Sequence, residues 1–185
     1  MKVIDNFLPQ ELFDPLKEIV NSENHPWFFV PQISSVHDKD YKRHYGFSCN
    51  VVKYERPFKY ERLPCTSLIY ALHQKIKDEF GFKEVIRCRL DMTTYRGEEE
   101  ITFGPHIDMS GEDHTSIFYL TECNAPTIIY NEKTQDEVIN LEELTILKKI
   151  DARENRIVVF DGSHIHSGMC ATDVSHRILI NTNFI

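Results

Sequence analysis

Two different periods of hydrophobic and polar residues divide the chain. In residues 9–22 and 66–80, apolar side chains recur at every third or fourth position, and this spacing predicts two amphipathic helices. Gly81 stands where the second helix should end, because glycine readily adopts the left-handed conformation found after a helix C-terminus. From residue 84 onward the period changes to two, so that apolar Ile86, Cys88, Leu90 and Met92 alternate with polar Arg87, Arg89, Asp91 and Thr93.

Short strand-like segments separated by turn residues continue to the end of the chain. The segments are 101–108, 115–120, 127–130, 146–150, 156–160, 165–170 and 176–185. Together they give about seven or eight strands, and this spacing is typical of a sandwich or barrel. We also predict a core strand at 27–30 and a strand at 49–54. The expected fold is mainly β with N-terminal helices, and a jelly roll is its natural form.

Length and composition favour one domain. The chain has 185 residues, of which 41% are hydrophobic, so it can bury a single sizeable core. We expect a helical support region over residues 1–83 and a jelly-roll core over 84–185. Residues 31–48 are polar and without a period, and a loop of this length is typical of a functional lid.

Charge and cysteine content limit the partners and the compartment. The net charge of −8 disfavours binding to nucleic acid through phosphates, although residues 41–45 form a short basic-aromatic patch whose simplest interpretation is a solvated loop. There is no apolar run of transmembrane length and no signal-peptide pattern. The five cysteines are scattered and include no C-x-x-C pair, which is typical of a reducing compartment. We therefore expect a cytoplasmic protein without a membrane partner.

His106 and Asp108 form a His-x-Asp motif at the end of a predicted strand. Residues two positions apart in a strand share a face, so the imidazole and the carboxylate would enter the same cavity. A second histidine from a distant strand would complete the two-His, one-carboxylate set that binds Fe(II) and leaves coordination positions open. We choose His166 for this place. His164 competes with it because it lies on the same strand face, and His114 is a weaker alternative.

Arg177 lies on the last predicted strand and shares a face with Leu179 and Asn181. An inward-facing arginine is costly to bury unpaired, and its guanidinium group can bind a carboxylate through two parallel hydrogen bonds. A dicarboxylate such as 2-oxoglutarate could contact Arg177 at one end and chelate a metal at the other. Tyr95, Asn181 and, with less support, Tyr119 are further candidates for this pocket; ordinary core or sheet-capping roles are the alternatives.

Nearly the whole chain resembles the Fe(II)/2-oxoglutarate-dependent dioxygenase superfamily and, within it, the prolyl 4-hydroxylase-like branch. Small bacterial or phage-encoded members are similar in their compactness. The chain departs from prolyl 4-hydroxylases proper at Arg177, where those enzymes often carry lysine. The residues that carry the resemblance are, in chain order, Tyr95, Gly97, His106-Ile107-Asp108, His166-Ser167-Gly168 and Arg177.

The resemblance implies a double-stranded β-helix, which is a jelly roll supported by N-terminal helices. It also implies that His106, Asp108 and His166 bind Fe(II), and that Arg177 binds the distal carboxylate of 2-oxoglutarate together with Tyr95. The implied reaction consumes O2 and 2-oxoglutarate, releases succinate and CO2, and hydroxylates a C–H bond of a peptide, a protein or a small molecule. A phage-encoded member would act in the host cytoplasm.

Two other functions remain open. A non-catalytic, cupin-like metal-binding module would need neither Arg177 nor 2-oxoglutarate. An oxidative nucleic-acid demethylase of the same superfamily would need a basic surface, against which the acidic charge of the chain argues.

Overall fold

The computed structural model describes residues 1–33, 44–111, 113–135 and 141–185. Within these ranges the chain forms two helices and ten strands, and a 3₁₀ turn at Leu141–Glu143 precedes the seventh strand. The elements are β1 Lys2–Ile4, α1 Gln10–Val20, β2 Phe28–Val30, β3 Gly46–Val52, α2 Thr66–Phe80, β4 Val85–Thr94, β5 His114–Tyr119, β6 Cys123–Lys133, β7 Ile146–Ala152, β8 Ile157–Asp161, β9 His164–Ser167 and β10 His176–Phe184.

The strands form two antiparallel sheets. The large sheet has seven strands in the order β1-β8-β5-β10-β4-β3-β2, and the small sheet has three in the order β7-β6-β9. Strand β10 lies between β5 and β4, so the last strand of the chain occupies the middle of the large sheet. This arrangement is the predicted double-stranded β-helix, or jelly roll, with its N-terminal helices.

The two faces of β10 have different surroundings. Ile178 and Ile180 point to one side and belong to the core that includes Leu16 of α1 and Leu72 of α2. Leu179 points to the other side and joins an apolar cluster with residues of the small sheet. The helices therefore cover the outer face of the large sheet, while Arg177, Leu179 and Asn181 face the space between the sheets, as the alternation predicts.

Both helices are close to their predicted bounds. Helix α2 ends at Gly81, whose φ of 76° is the left-handed conformation expected of a glycine at this position. No helix of the described residues is both long and apolar enough to cross a membrane.

Two predicted strands differ from the structure. The strand at 27–30 was expected in the core, but Phe28 and Phe29 are 62% and 60% exposed, because among the described residues β2 is an edge strand that pairs with β3 alone. The segment 101–108 is not a continuous strand: it makes only isolated bridges, at Thr102 and at His106. Pro105 lies just before the second bridge and has no N–H group to donate to a ladder.

Residues 124–126 were expected in the connection between the predicted strands 115–120 and 127–130, but they lie inside β6. A shift of register between Cys123 and Thr127 accommodates them. Most of the predicted lid, residues 34–43, lies outside the described residues. The boundary at residue 83 stays a prediction, although β1, β2 and β3 of the first part are members of the large sheet.

Candidate metal centre and adjoining pocket

A pocket lies between the two sheets and reaches the candidate metal ligands. Its walls combine apolar side chains with an unusual number of charged and polar ones. The large sheet contributes Phe47, Arg89, Asp91, Met92, Thr93, Ile117, Arg177, Leu179 and Asn181, and the remaining lining residues are Ile33, Phe103, His106, Thr127, His166 and Gly168.

Three predicted residues meet at one end of this pocket. One ligand atom each from His106, Asp108 and His166 can be chosen so that all lie within 4.8 Å of one another. The Nε2 atom of His166 is 3.7 Å from Oδ2 of Asp108, and the two imidazole centroids are 4.7 Å apart. The structure therefore brings together the set that the sequence suggests, on one centre of a size that suits a metal ion.

The two histidines are also joined through their main chains. The N–H of His106 donates to the carbonyl of His166 at 3.0 Å, and the N–H of His166 donates to the carbonyl of His106 at 2.9 Å. This pair of hydrogen bonds holds the short segment at 106–108 against strand β9. The position of each imidazole is thus fixed relative to the other.

The orientation of both imidazoles leaves one nitrogen of each available. Nδ1 of His106 is 2.9 Å from the carbonyl of Gly104, and Nδ1 of His166 is 3.1 Å from the carbonyl of His164. A carbonyl only accepts, so each Nδ1 carries the hydrogen and each neutral ring keeps a lone pair on Nε2. Within the described residues, Nε2 of His166 is buried without a hydrogen-bond partner. A bound cation would satisfy the lone pair of this nitrogen.

Asp108 is held by neighbours from the large sheet. Its buried carboxylate accepts hydrogen bonds from the side-chain amide of Asn181 at 3.1 Å to each oxygen and from Oγ1 of Thr115 at 3.3 Å. Arg87 lies 3.5 Å from Oδ1. Such contacts fix the direction of the carboxylate and keep lone pairs available for a metal.

The protonation states suit a cation site. Burial raises the pKa of Asp108, but His166 and Arg87 outweigh it and hold that pKa well below the usual value. Burial lowers the pKa of His106 to about 4. Burial also acts to lower the pKa of His166, yet the adjacent Asp108 carboxylate raises it overall. Asp108 is therefore ionised and His106 neutral, which are the forms in which these side chains bind a divalent cation.

Arg177 is buried and lines the same pocket. Its Nη2 donates to Oγ1 of Thr127 at 3.2 Å, and the hydroxyl of Tyr119 donates to the same oxygen at 2.7 Å. The guanidinium carbon lies 5.6 Å from the centre of the Tyr119 ring. Among the described residues, Nε of Arg177 has no hydrogen-bond partner, and no carboxylate forms an ion pair with this arginine.

The other predicted site residues divide into two groups. Asn181 lies in the pocket, but its side-chain amide donates a hydrogen bond to Asp108. Tyr95 does not reach the pocket: it follows β4, is 44% exposed, and donates to Glu98 at 3.0 Å. The prediction for Tyr95 is therefore not supported, because the chain has left the sheet by that position. His164 bonds to the carbonyl of Tyr130, and His114 packs on Phe82 at the surface.

Three pocket residues were not singled out from the sequence. Arg89 and Asp91 line the wall formed by β4, and Thr127 joins Tyr119 to Arg177. The signal for the first two was present, since they are charged residues at alternate positions of a predicted strand. Thr127 gave no signal, because its role depends on how β6 is placed against β10.

No protein-family model matches the chain, and no curated protein matches it. Solved structures do match. A Burkholderia pseudomallei oxidoreductase of the 2OG-Fe(II) oxygenase family has a TM-score of 0.61 and 13% identity over 92% of this chain and 76% of its own. A Trichoplax adhaerens prolyl hydroxylase in complex with a hypoxia-inducible-factor peptide has a TM-score of 0.62 and 14% identity over 100% of this chain and 82% of its own.

A third similar structure is SnoN, a non-haem α-ketoglutarate-dependent epimerase of nogalamycin biosynthesis. Its TM-score is 0.64 at 8% identity, over 99% of this chain and 77% of its own. The resemblance seen in the sequence is thus confirmed for the fold: the chain has the fold of 2-oxoglutarate- and Fe(II)-dependent oxygenases, including prolyl hydroxylases.

Proposed function

We propose that this protein is a non-haem Fe(II)- and 2-oxoglutarate-dependent dioxygenase that hydroxylates a C–H bond. The observation that carries the proposal is the meeting of three ligand atoms within 4.8 Å in a pocket that also contains the buried, incompletely bonded Arg177. The fold shared with oxygenases of this kind supports it.

His106, Asp108 and His166 would bind the iron. Hydrogen bonds to other protein groups orient each of these side chains for this role. The histidines donate through Nδ1 to main-chain carbonyls and so present Nε2 to the cation. Asp108 stays ionised and is oriented by the amide of Asn181. Iron and 2-oxoglutarate together would supply the O2-dependent hydroxylation and release succinate and CO2.

Arg177 would bind the distal carboxylate of 2-oxoglutarate. The guanidinium group supplies charge-assisted N–H donors, which are stronger than neutral ones. Thr127 supports this task, because Oγ1 accepts from both Arg177 and Tyr119 and its own hydroxyl hydrogen is left to donate to a ligand. The arginine and the threonine thus offer adjacent donors to one carboxylate.

The substrate of this hydroxylase would be a peptide, a protein or a small molecule. The similar solved structures include a prolyl hydroxylase with a bound peptide and an enzyme of antibiotic biosynthesis, so the fold alone is compatible with either class. We infer a location in the cytoplasm, or in the host cytoplasm if the protein is phage-encoded, because none of the five cysteines is in a disulfide, as in a reducing compartment.

Anaerobic titration of the metal-free protein with Fe(II) and 2-oxoglutarate tests the metal centre. We expect the visible charge-transfer band of an iron–2-oxoglutarate chelate. The His166→Ala variant should lose tight Fe(II) binding, whereas His164→Ala, the matched control two residues away, should keep it. Loss in His164→Ala with retention in His166→Ala would contradict the assignment of the third ligand.

The same titration tests Arg177. The Arg177→Gln variant should bind Fe(II) as the wild type does but require at least about tenfold more 2-oxoglutarate to form the band, because a charge-assisted pair is lost. The control is Arg153→Gln, at an exposed position directly after β7. An unchanged requirement for 2-oxoglutarate would remove Arg177 from the site.

The two alternative functions predict other outcomes. Tight metal binding without a charge-transfer band would indicate a cupin-like module without turnover. Binding to single-stranded DNA that weakens steeply with salt would indicate a nucleic-acid demethylase. Residues 41–43 of the basic-aromatic patch lie outside the described residues, so the argument against this function is the net charge of −8.

A further inference from the structure

Strand β4 presents three polar residues to the pocket that have no task in the proposed metal or 2-oxoglutarate sites. Arg89, Asp91 and Thr93 are at alternate positions and all line the pocket. In the sheet register they lie beside Asn181, Leu179 and Arg177 of β10, respectively. They therefore form a second polar row, one strand away from the row that serves Asp108 and the proposed co-substrate.

Arg89 and Asp91 form an ion pair within this row. Nε of Arg89 is 2.6 Å from Oδ1 of Asp91, and the two side chains are only 23% and 18% exposed. The two atoms do not meet the geometry of a good hydrogen bond, and within the described residues neither atom has another partner. Oγ1 of Thr93, two positions further along, is also buried without a partner.

An ion pair in this position is costly for the fold. Removing two charges from water requires more free energy than their attraction usually returns, and two apolar side chains of similar size are often at least as stable. The neighbours of the pair include Leu179, Met92 and Phe47, which would suit apolar replacements. The charges are therefore better explained by a ligand that uses both of them.

The chemistry of the pair restricts that ligand. A molecule with one carboxylate would be attracted by Arg89 and repelled by Asp91, whose oxygen lies only 2.6 Å from the guanidinium nitrogen. A molecule with one ammonium group would meet the opposite conflict. A ligand that carries both groups close together satisfies both charges and adds no net charge to the interior.

We propose that, within the hydroxylase function proposed above, the Arg89–Asp91 pair selects a free aliphatic α-amino acid as substrate. Arg89 binds the α-carboxylate and Asp91 binds the α-ammonium group. The apolar side chain of the substrate packs against the apolar pocket residues Ile33, Phe47 and Phe103. This inference depends on the proposed function, because it assigns the substrate of the same site.

A peptide fits the pair less well. An internal peptide residue has neither an α-carboxylate nor an α-ammonium group, so it would leave both charges to pair only with each other. The pair is also close to the metal centre, since Arg89 is the cross-strand neighbour of Asn181, which holds Asp108.

Calorimetric titration of the anaerobic protein loaded with Fe(II) and 2-oxoglutarate tests the proposal without turnover. The probes are L-leucine, L-isoleucine, L-valine, L-methionine and L-proline, with N-acetyl-L-leucine and L-leucinamide as matched analogues that each lack one charge. We expect at least one free amino acid to bind. If leucine binds, each analogue should bind about a hundredfold more weakly, because one buried charge of the pair loses its partner.

Variants assign each charge to one residue. Asp91→Asn should weaken binding of the free amino acid about a hundredfold and abolish its preference over the N-acetyl analogue. Arg89→Gln should also weaken binding of the free amino acid about a hundredfold, and it should abolish the preference for leucine over L-leucinamide. Both variants should keep the charge-transfer band, which also shows that they are folded. Asp151→Asn and Arg153→Gln, at exposed positions, are the controls and should bind as the wild type does.

Several outcomes would overturn the proposal. One is that no free amino acid of the series binds; another is that a capped tripeptide, N-acetyl-Ala-Leu-Ala-amide, binds more tightly than any of them. A third is that Arg89→Gln weakens 2-oxoglutarate binding instead, since Arg89 would then serve the co-substrate. In each case the wild-type protein still shows the charge-transfer band of the iron–2-oxoglutarate chelate. If the wild-type protein shows no such band, the proposed function itself is wrong.

Discussion

Asn181 donates its side-chain amide to both oxygens of Asp108 and lies on β10 in the middle of the large sheet. The amide fixes the plane of the carboxylate without occupying the position of a metal ligand. At the scale of single residues, this contact links the central strand of the large sheet to the candidate metal centre.

Replacing Asn181 by leucine, which has a similar shape but no N–H donor, should weaken divalent metal binding about 10- to 100-fold. The physical reason is that Asp108 would lose its orienting donor while remaining a ligand. Competition with a chelator of known affinity measures the effect. Asn131→Leu, at an exposed position of β6, is the control; an unchanged affinity in Asn181→Leu would show that Thr115 and Arg87 suffice to orient the carboxylate.

Gly162 is a position where a single methyl group should be costly. A Cβ atom there would lie 2.3 Å from Oδ1 of Asp113, whose other carboxylate oxygen, Oδ2, accepts a hydrogen bond from Asn183 at 2.9 Å. We expect Gly162→Ala to lower the free energy of unfolding by about 1–3 kcal/mol, as measured by urea denaturation. At Gly168 the nearest atom would be 3.4 Å away, so Gly168→Ala should cost less than Gly162→Ala; equal costs would contradict the steric explanation.

The residues of the candidate metal centre could be chosen from the sequence because their chemistry and order are distinctive. His106, Asp108 and His166 are brought together as expected, and Arg177 is buried in the same pocket. Tyr95 was misplaced because its position relative to the end of β4 cannot be read from alternation alone. The contribution of Thr127 depends on contacts between elements that no local pattern encodes.

At the scale of elements, helix α2 is joined to the large sheet by a chain of buried hydrogen bonds. The hydroxyl of Tyr60 is 2.7 Å from Nδ1 of His73, Nε2 of His73 is 3.1 Å from Oγ1 of Thr182, and that hydroxyl donates to Sγ of Cys88 at 3.4 Å. Because Thr182 donates to the sulfur, it accepts from His73, whose Nε2 therefore carries a hydrogen. Burial, together with Lys77, lowers the pKa of His73 to about 3.

This neutral histidine should make stability depend on pH. An unfolded histidine titrates near pH 6.5, so the unfolded chain takes up a proton that folded His73 refuses until about pH 3. The contribution is therefore fully present above pH 6.5 and is lost as the pH falls, by up to about 1.4 kcal/mol per pH unit. Urea denaturation between about pH 7 and pH 5 should show a shallower slope for His73→Gln than for the wild type.

The matched control for this prediction is His114→Gln, because His114 is exposed at the surface of β5. Its substitution should leave the pH dependence of the wild type unchanged. If His73→Gln and the wild type lose stability equally as the pH falls, then another group accounts for the acid sensitivity of the fold.

The elements themselves were largely readable from the sequence, and the failures have physical causes. Both helices were placed to within two residues, because a period of 3.6 over 11 and 15 residues is a strong signal. The exposure of β2 was missed because an apolar run does not reveal whether a strand lies at an edge. The segment at 101–108 has the alternation of a strand but bridges its neighbours at only two points.

At the scale of the whole molecule, the candidate metal centre joins the two sheets. His166 belongs to β9 of the small sheet, whereas Asp108 is held by Asn181 of the large sheet. A bound cation would therefore stabilise the contact between the sheets as well as its own ligands. The free energy of unfolding of the whole protein should therefore increase when a metal ion binds.

Zn(II), which has no redox chemistry, is a suitable probe of this linkage. At about one hundred times its dissociation constant, it should stabilise the folded protein by about 2.7 kcal/mol and raise the melting temperature by about 5–10 °C. The increase should be absent in His166→Ala and present in the control His164→Ala. A similar increase in both variants would mean that the ion binds elsewhere.

The paired main-chain hydrogen bonds between His106 and His166 have a kinetic consequence. They hold the main chains of both residues together through contacts that involve only protein atoms. The candidate metal site is therefore preorganised, and metal binding requires no rearrangement of the main chain there. The time needed to load the protein with metal should then be governed by how quickly the ion sheds its own water, and it should differ between metals in the order of their water-exchange rates.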